Sequence, residues 1–295
     1  MTGAAVIDLS LALGRRDDGF WPDIPYLLAS ESVGIDEIKQ VVDDVRNDPE
    51  KAVSSGRFHK VADVSLQCPV GRKPFILCAG ANYGDHLAEM SEFSPPTTPL
   101  WFVKSPNSVI GADEDIELPP DYPNMVDFEG ELAIVIGRPC HRVDAADALN
   151  FVAGYTLVND VSARDWVGEA LSATEPGAVR LSWGLNIAGK QFPTFCPIGP
   201  VILTSDQVTD WRELELTTRV NGVLMQKAKA GEMLFSIPEL IEYLSRFFSL
   251  VPGDIISTGS PAGVGLSRNP QVFLTPGDTV TVSVEKIGDL RNTVV

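Results

Sequence analysis

Residues 127–137, DFEGELAIVIG, constrain the fold of this chain more than any other stretch. Leu132 to Ile136 form a short apolar run with β-branched members, which reads as a strand bound for the interior. Glu129 and Glu131 enter it two residues apart, and side chains two apart on a strand share a face. If the register extends back, Phe128, Leu132, Ile134 and Ile136 share one face, and Asp127, Glu129, Glu131, Ala133 and Val135 the other. Like charges on one half-buried face repel each other and resist leaving water. Either the strand end is a solvated acidic edge, or a hard divalent cation turns the repulsion into coordination.

The surrounding pattern predicts an α+β fold that is predominantly β. Strands are expected at 75–78, 100–104, 155–159, 213–220, 255–257 and 279–284, and Asn221-Gly222 between apolar stretches signals a hairpin. Helical spacing runs over 36–53, and a capping box at Ser236 and Glu239 opens a helix whose apolar face reaches Phe247 and Phe248. The 295 residues divide into a small N-terminal domain (1–70) and a main domain (71–295), joined by a stretch punctuated with proline and glycine.

Forty acidic against 23 basic residues give a net charge of −17, which argues against a nucleic-acid partner. No apolar run has the length of a membrane span, and no basic start precedes the first apolar stretch, so a cytoplasmic protein is expected. The scattered Cys68, Cys78, Cys140 and Cys196 suit buried thiols in a reducing compartment. With only His59, His86 and His141, a metal site must rely on oxygen ligands, which favours Mg²⁺, Mn²⁺ or Ca²⁺ over zinc.

Further groups can be weighed singly. Asp160 follows an apolar strand and reads alone as a turn residue; with Glu129 and Glu131 it completes a three-carboxylate site. Arg164 is placed either in the site or in a surface ion pair with Asp165. In NYGDHLAEM (82–90), His86 and Glu89 are three apart on a helix, where a carboxylate can orient an imidazole as a general base. Surface contacts of this kind are also common. Lys190 lies among small and apolar residues, where an ammonium can stabilise a developing oxyanion. The loop STGSPAGVG (257–265) lacks the spacing of a P-loop or a dinucleotide fingerprint, but its N–H groups suit a carboxylate.

Taken in order, NYGDHLAE, DFEGELAIVIG, GYTLVNDVSARD, GKQFPTFCPIGP, VNGVLMQ and STGSPAGVG resemble the fumarylacetoacetate hydrolase family from about Phe75 to Arg291. The resemblance implies a mixed β-roll catalytic domain behind a small N-terminal domain, assembled as a homodimer. It implies Glu129, Glu131 and Asp160 as ligands of Mg²⁺ or Mn²⁺, with Ca²⁺ also used in the family. His86 and Glu89 become the water-activating pair and Lys190 the charge stabiliser, while Tyr83, Arg164, Gly259 and Ser260 bind substrate. The chain departs from the family pattern at Ser260, Pro193, 227–231 and the long 167–188 link. The expected activity is hydrolysis of a C–C bond in a small β-diketo acid of the acylpyruvate type. Decarboxylation of an oxaloacetate-like acid, or isomerisation or hydration of a 2-oxo-dienoate, is the alternative on the same scaffold. A ligand-binding protein without turnover stands further off.

Overall fold

The structure, a computed structural model, describes residues 5–7, 35–48, 58–71, 74–89, 95–168 and 175–295. Its strands are β1 (Ala5–Ile7), β2 (Phe58–Lys60), β3 (Ile76–Gly80), β4 (Leu100–Lys104), β5 (Val109–Ile110), β6 (Val126–Asp127), β7 (Gly130–Ile136) and β8 (Val152–Asn159). They continue with β9 (Ser162–Ala163), β10 (Cys196–Thr204), β11 (Glu215–Val220), β12 (Val223–Lys229), β13 (Ile255–Ser257), β14 (Thr279–Val284) and β15 (Gly288–Thr293). The α-helices are α1 (Ile35–Asn47), α2 (Gly84–Glu89), α3 (Pro176–Ala188) and α4 (Ile237–Ser245).

A seven-stranded mixed sheet runs β4-β3-β13-β7-β8-β10-β5, and a four-stranded antiparallel sheet runs β12-β11-β14-β15. This is the α+β, mainly β arrangement expected from the pattern. β7 lies near the middle of the larger sheet, between β13 and β8. Every one of its residues is buried. Leu132, Ile134 and Ile136 pack with Ile237, Leu240 and Leu244 of α4, while Ala133 and Val135 pack with Cys78, Cys196 and Ile198. The strand is therefore dry on both faces, not half-buried, which rules out a solvated edge at Glu131.

Strands with uninterrupted apolar alternation fall where expected, at 100–104, 255–257 and 279–284. β10 escaped notice because Pro197, Gly199 and Pro200 read as loop residues. It pairs with β8 through a register shift between Gly199 and Leu203, the kind of irregularity that lets prolines sit in a sheet. β15 also went unseen, since only Leu290 and Asn292 of DLRN point inward. α4 carries its capping box, with Glu239 accepting from the Ser236 N–H at 2.7 Å. It ends at Ser245, so Phe247 and Phe248 lie beyond the helix, and Phe247 is 56% exposed against Trp101. The long 167–188 link contains α3, which leads directly to Lys190. α1 accounts for 36–47 of the first expected helix; 49–53 lie outside the described residues, as do 90–94 of the proline-rich loop. All four cysteines are buried thiols. Among the described residues no helix is long and apolar enough to cross a membrane.

Candidate active site

Strand pairing assembles the acidic cluster. In the β7/β8 ladder Gly130 faces Asn159 and Glu131 faces Val158. One step further the Asp160 N–H donates to the Glu129 carbonyl at 2.8 Å, which brings Asp160 beside the two glutamates. Carboxylate oxygens of Glu129, Glu131 and Asp160 lie within 4.8 Å of one another, all buried. Asp127, expected on the same face, diverges because β7 begins only at Gly130. It belongs to β6, pairs with Ser162, and turns its carboxylate elsewhere.

Gly130 separates the two glutamates for a steric reason. A Cβ there would lie 2.0 Å from the Thr218 hydroxyl and 3.2 Å from the Val282 methyls, because the four-stranded sheet packs directly on this point. Gly130→Ala is expected to destabilise the protein by roughly 1–3 kcal/mol through overpacking. Chemical denaturation would measure it; the residue displaced by the methyl lies between Glu129 and Glu131, so cation affinity should fall as well.

Three buried cations face the cluster. Lys190 bonds Asp160 at 2.5 Å, Glu129 at 2.9 Å and Ser162 Oγ at 2.9 Å. Lys104 bonds Asp160 and, at 3.2 Å, the Val161 carbonyl. Arg164 bonds Glu129 and, at 3.1 Å, Asp127. Its remaining nitrogen donates to Asn186 of α3 at 2.7 Å. Arg164 is thus buried among protein acceptors, and the surface pair with Asp165 is not formed; the Asp165 carboxylate accepts from the Asn124 N–H instead.

These neighbours split the carboxyls. Burial works against ionising Glu129, but Lys190 and Arg164 outweigh it and hold the group well below the usual range. Glu131 goes the other way. Burial, then Asp160 and Glu129, push it up to about 8, despite hydrogen bonds from Ser257 at 2.5 Å and the Gly259 N–H at 3.0 Å. A dry, all-oxygen cluster whose last carboxyl resists ionisation fits a hard divalent cation. A cation there must displace the Glu131 proton, so binding strengthens as pH rises. Affinity is expected to improve by about tenfold per pH unit below pH 8 and to level off above it, with proton release seen in calorimetry run in buffers of different ionisation enthalpy. For the metal-free protein the sign is opposite. Because the folded pKa is raised, the stability contributed by protonated Glu131 is full below the unfolded value near 4.5 and is lost as pH rises through 8.

α2 carries His86 and Glu89. The His86 ring is buried, and its Nδ1 lies 3.6 Å from Glu89 Oε2 with no other partner among the described residues. Burial would raise the Glu89 carboxyl, but the His86 ring beside it and hydrogen bonds from the Gly263 N–H and the Ser267 hydroxyl bring it below its ordinary value. The glycine-rich loop joins the pair to the cluster, because its Gly263 N–H bonds Glu89 and its Gly259 N–H bonds Glu131.

The other expected residues also converge here. Gly259 adopts φ +93°, where a side chain would be strained and would press on Asn82. Ser260 receives a hydrogen bond from Gln226 at 2.7 Å and donates to the Gly130 carbonyl at 3.3 Å. Tyr83 is buried beside Thr258, and burial followed by Glu131 and Glu232 pushes its phenol pKa up. Sequence reasoning overlooked Lys104, although Phe102 and Lys104 are two apart on β4 and alternation places both inward. It also gave no part to Asn186, Ser257 or Ser267, which reach the site through contacts distant in sequence.

A mixed β-roll that carries this cluster, with a buried His86 partnered by Glu89, places the chain in a known class. Residues 75–295 match the family described as fumarylacetoacetate (FAA) hydrolase C-terminal, and the chain belongs to that family of enzymes. The bovine (Bos taurus) mitochondrial oxaloacetate tautomerase FAHD2B is 42% identical over 234 residues, 79% of this chain and 70% of the relative. The structure of 5-carboxymethyl-2-hydroxymuconate delta-isomerase from Mycobacterium smegmatis is 40% identical, with a TM-score of 0.66 covering 81% of this chain and 85% of that one. Maleylpyruvate hydrolase from Sphingobium sp. SYK-6 is 28% identical, with a TM-score of 0.72 covering 99% and 93%.

Proposed function

We propose that this protein interconverts the keto and enol forms of a small 2-oxo dicarboxylic acid of the oxaloacetate type, with Mg²⁺ or Mn²⁺ held by Glu129, Glu131 and Asp160. The observation that carries the reading is a buried imidazole beside a carboxylate that is tied, through one glycine-rich loop, to a buried all-oxygen cluster. The names of the bovine and mycobacterial relatives support proton relocation as the chemistry. When bound, the cation supplies a Lewis acid for the 2-oxo-carboxylate end of the substrate.

The chain's own residues do the rest. The Glu89 carboxylate keeps the His86 proton on Nδ1, which leaves the Nε2 lone pair as the base. Nε2 takes a proton from C3 as the C–H electron pair becomes the C2–C3 double bond and the C=O π pair moves onto the 2-oxo oxygen. That oxygen takes a proton from solvent to give the enol, and the reverse sequence regenerates the ketone. Lys190 keeps positive charge beside the cluster, and the Gly259 N–H and Ser260 hydroxyl border the substrate. A homodimer with a small N-terminal domain belongs to the same proposal.

Hydrolysis of a C–C bond in an acylpyruvate is a second reading, because the same pair is built to activate water. Mass spectrometry of products from oxaloacetate and from an acylpyruvate separates the two. Accelerated keto–enol exchange without mass change supports tautomerisation; uptake of one water with cleavage supports hydrolysis. Turnover of neither, with cation bound, rejects both.

A further inference from the structure

The glycine-rich loop is gripped by carboxylates from three separate elements. Glu131 of β7 holds its start, through Ser257 and the Gly259 N–H. Asp127 of β6 holds its far turn, accepting from the Gly265 N–H at 2.6 Å and the Leu266 N–H at 3.2 Å. Glu89 of α2 lands between them, accepting from the Gly263 N–H at 3.0 Å and the Ser267 hydroxyl at 2.8 Å. Both donors meet Oε2, the same oxygen that faces His86 Nδ1.

The platform under Glu89 is rigid. Gly263 adopts φ +104°, and a Cβ there would lie 2.1 Å from the Met225 carbonyl. Arg268 ties the loop to β12 by bonding the Gly263 carbonyl at 3.2 Å and the Met225 carbonyl at 2.8 Å. Glu89 itself is less constrained. It is the last residue of a short helix and its side chain is 29% exposed, so without an anchor the carboxylate would turn into water. The Ser267 hydroxyl has a second acceptor within reach, the Val264 carbonyl at 3.1 Å, but the charged oxygen is nearer and the stronger acceptor.

We infer that Ser267 is a positioning residue for the catalytic base: its hydroxyl pins Glu89 Oε2 against His86 Nδ1 and so fixes the ring with its basic nitrogen toward the cation site. The inference rests on the proposed function in taking His86 as the base. It adds that the pair is completed by a residue 178 positions from Glu89.

Ser267→Ala, Ser267→Thr, Glu89→Gln and the Ser267→Ala/Glu89→Gln double variant test it in the full chain. Ser267→Ala is expected to lower kcat by about tenfold while KM and Mn²⁺ affinity stay within about twofold, and Thr should restore most of kcat. The double variant should be no slower than Glu89→Gln, because the hydroxyl acts through the carboxylate. Nitrogen NMR reads the ring directly, since the chain has only three histidines. His86 should carry its proton on Nδ1 in the wild type and be a tautomer mixture in Ser267→Ala. An unchanged kcat with unchanged ring nitrogens, or losses that add in the double variant, would overturn the inference. Failure of the functional reading looks different: His86→Ala would keep full turnover with its cation bound.

Discussion

Glu131→Gln is expected to abolish tight divalent-cation binding and turnover together. The loss of rate should be roughly a thousandfold or more, because the Lewis acid supplies several kcal/mol of transition-state stabilisation. Glu131 is the cleanest of the three carboxylates to test. Glu129 pairs with Lys190 and Arg164, so Glu129→Ala also takes one of two carboxylate partners from each buried cation and mixes a stability loss with the loss of a ligand. Among the described residues no cation lies within bonding distance of Glu131; its partners are Ser257 and the Gly259 N–H, and its carboxyl is already reluctant to ionise. The neutral amide keeps the shape and one acceptor. Thermal unfolding with and without Mn²⁺ separates the effects. The wild type should gain stability on adding the ion, since a ligand of the native state stabilises it by mass action. The variant should unfold near the metal-free wild type and gain nothing.

His86→Ala should produce the second largest loss, about 10²–10⁴-fold in kcat, the usual contribution of a positioned general base. Cation affinity should change little, because His86 is not among the clustered ligands. Glu89→Gln should lie between the wild type and His86→Ala, since an amide oxygen can still accept from Nδ1 but no longer offsets a positive charge on the ring. Paired measurements of kcat and Mn²⁺ affinity therefore sort the site. Glu131→Gln loses both, and His86→Ala loses only the rate.

Much of this site was legible in the sequence because its parts obey local periodicities. Alternation put Glu129 and Glu131 on one face, and a three-residue step put Glu89 beside His86. Asp160 announced itself by ending an apolar strand. What the sequence hid depends on contacts between residues distant in the chain. β7 was read as half-buried because nothing in 127–137 reveals that β13 and β8 flank it and that α4 covers one of its faces. Lys104 passed as an ordinary charged strand end, yet it is fully buried, because Asp160, 56 residues away, offsets its charge. Asp127 looked like a third member of the acidic face, but the break in pairing before Gly130 sends it to Arg164 and to the 265–266 turn. Proline and glycine disguised β10, where a register shift absorbs them.

The most direct test is the decay of enol oxaloacetate, followed by its ultraviolet absorbance in stopped flow, for wild type with Mg²⁺, wild type stripped by chelator, and Glu131→Gln with Mg²⁺. The expected result is rapid conversion by the first alone, with the other two at the rate of buffer containing the same ion. Wild-type conversion that survives removal of the cation, or full activity in Glu131→Gln, would contradict a cation-dependent site built on this strand.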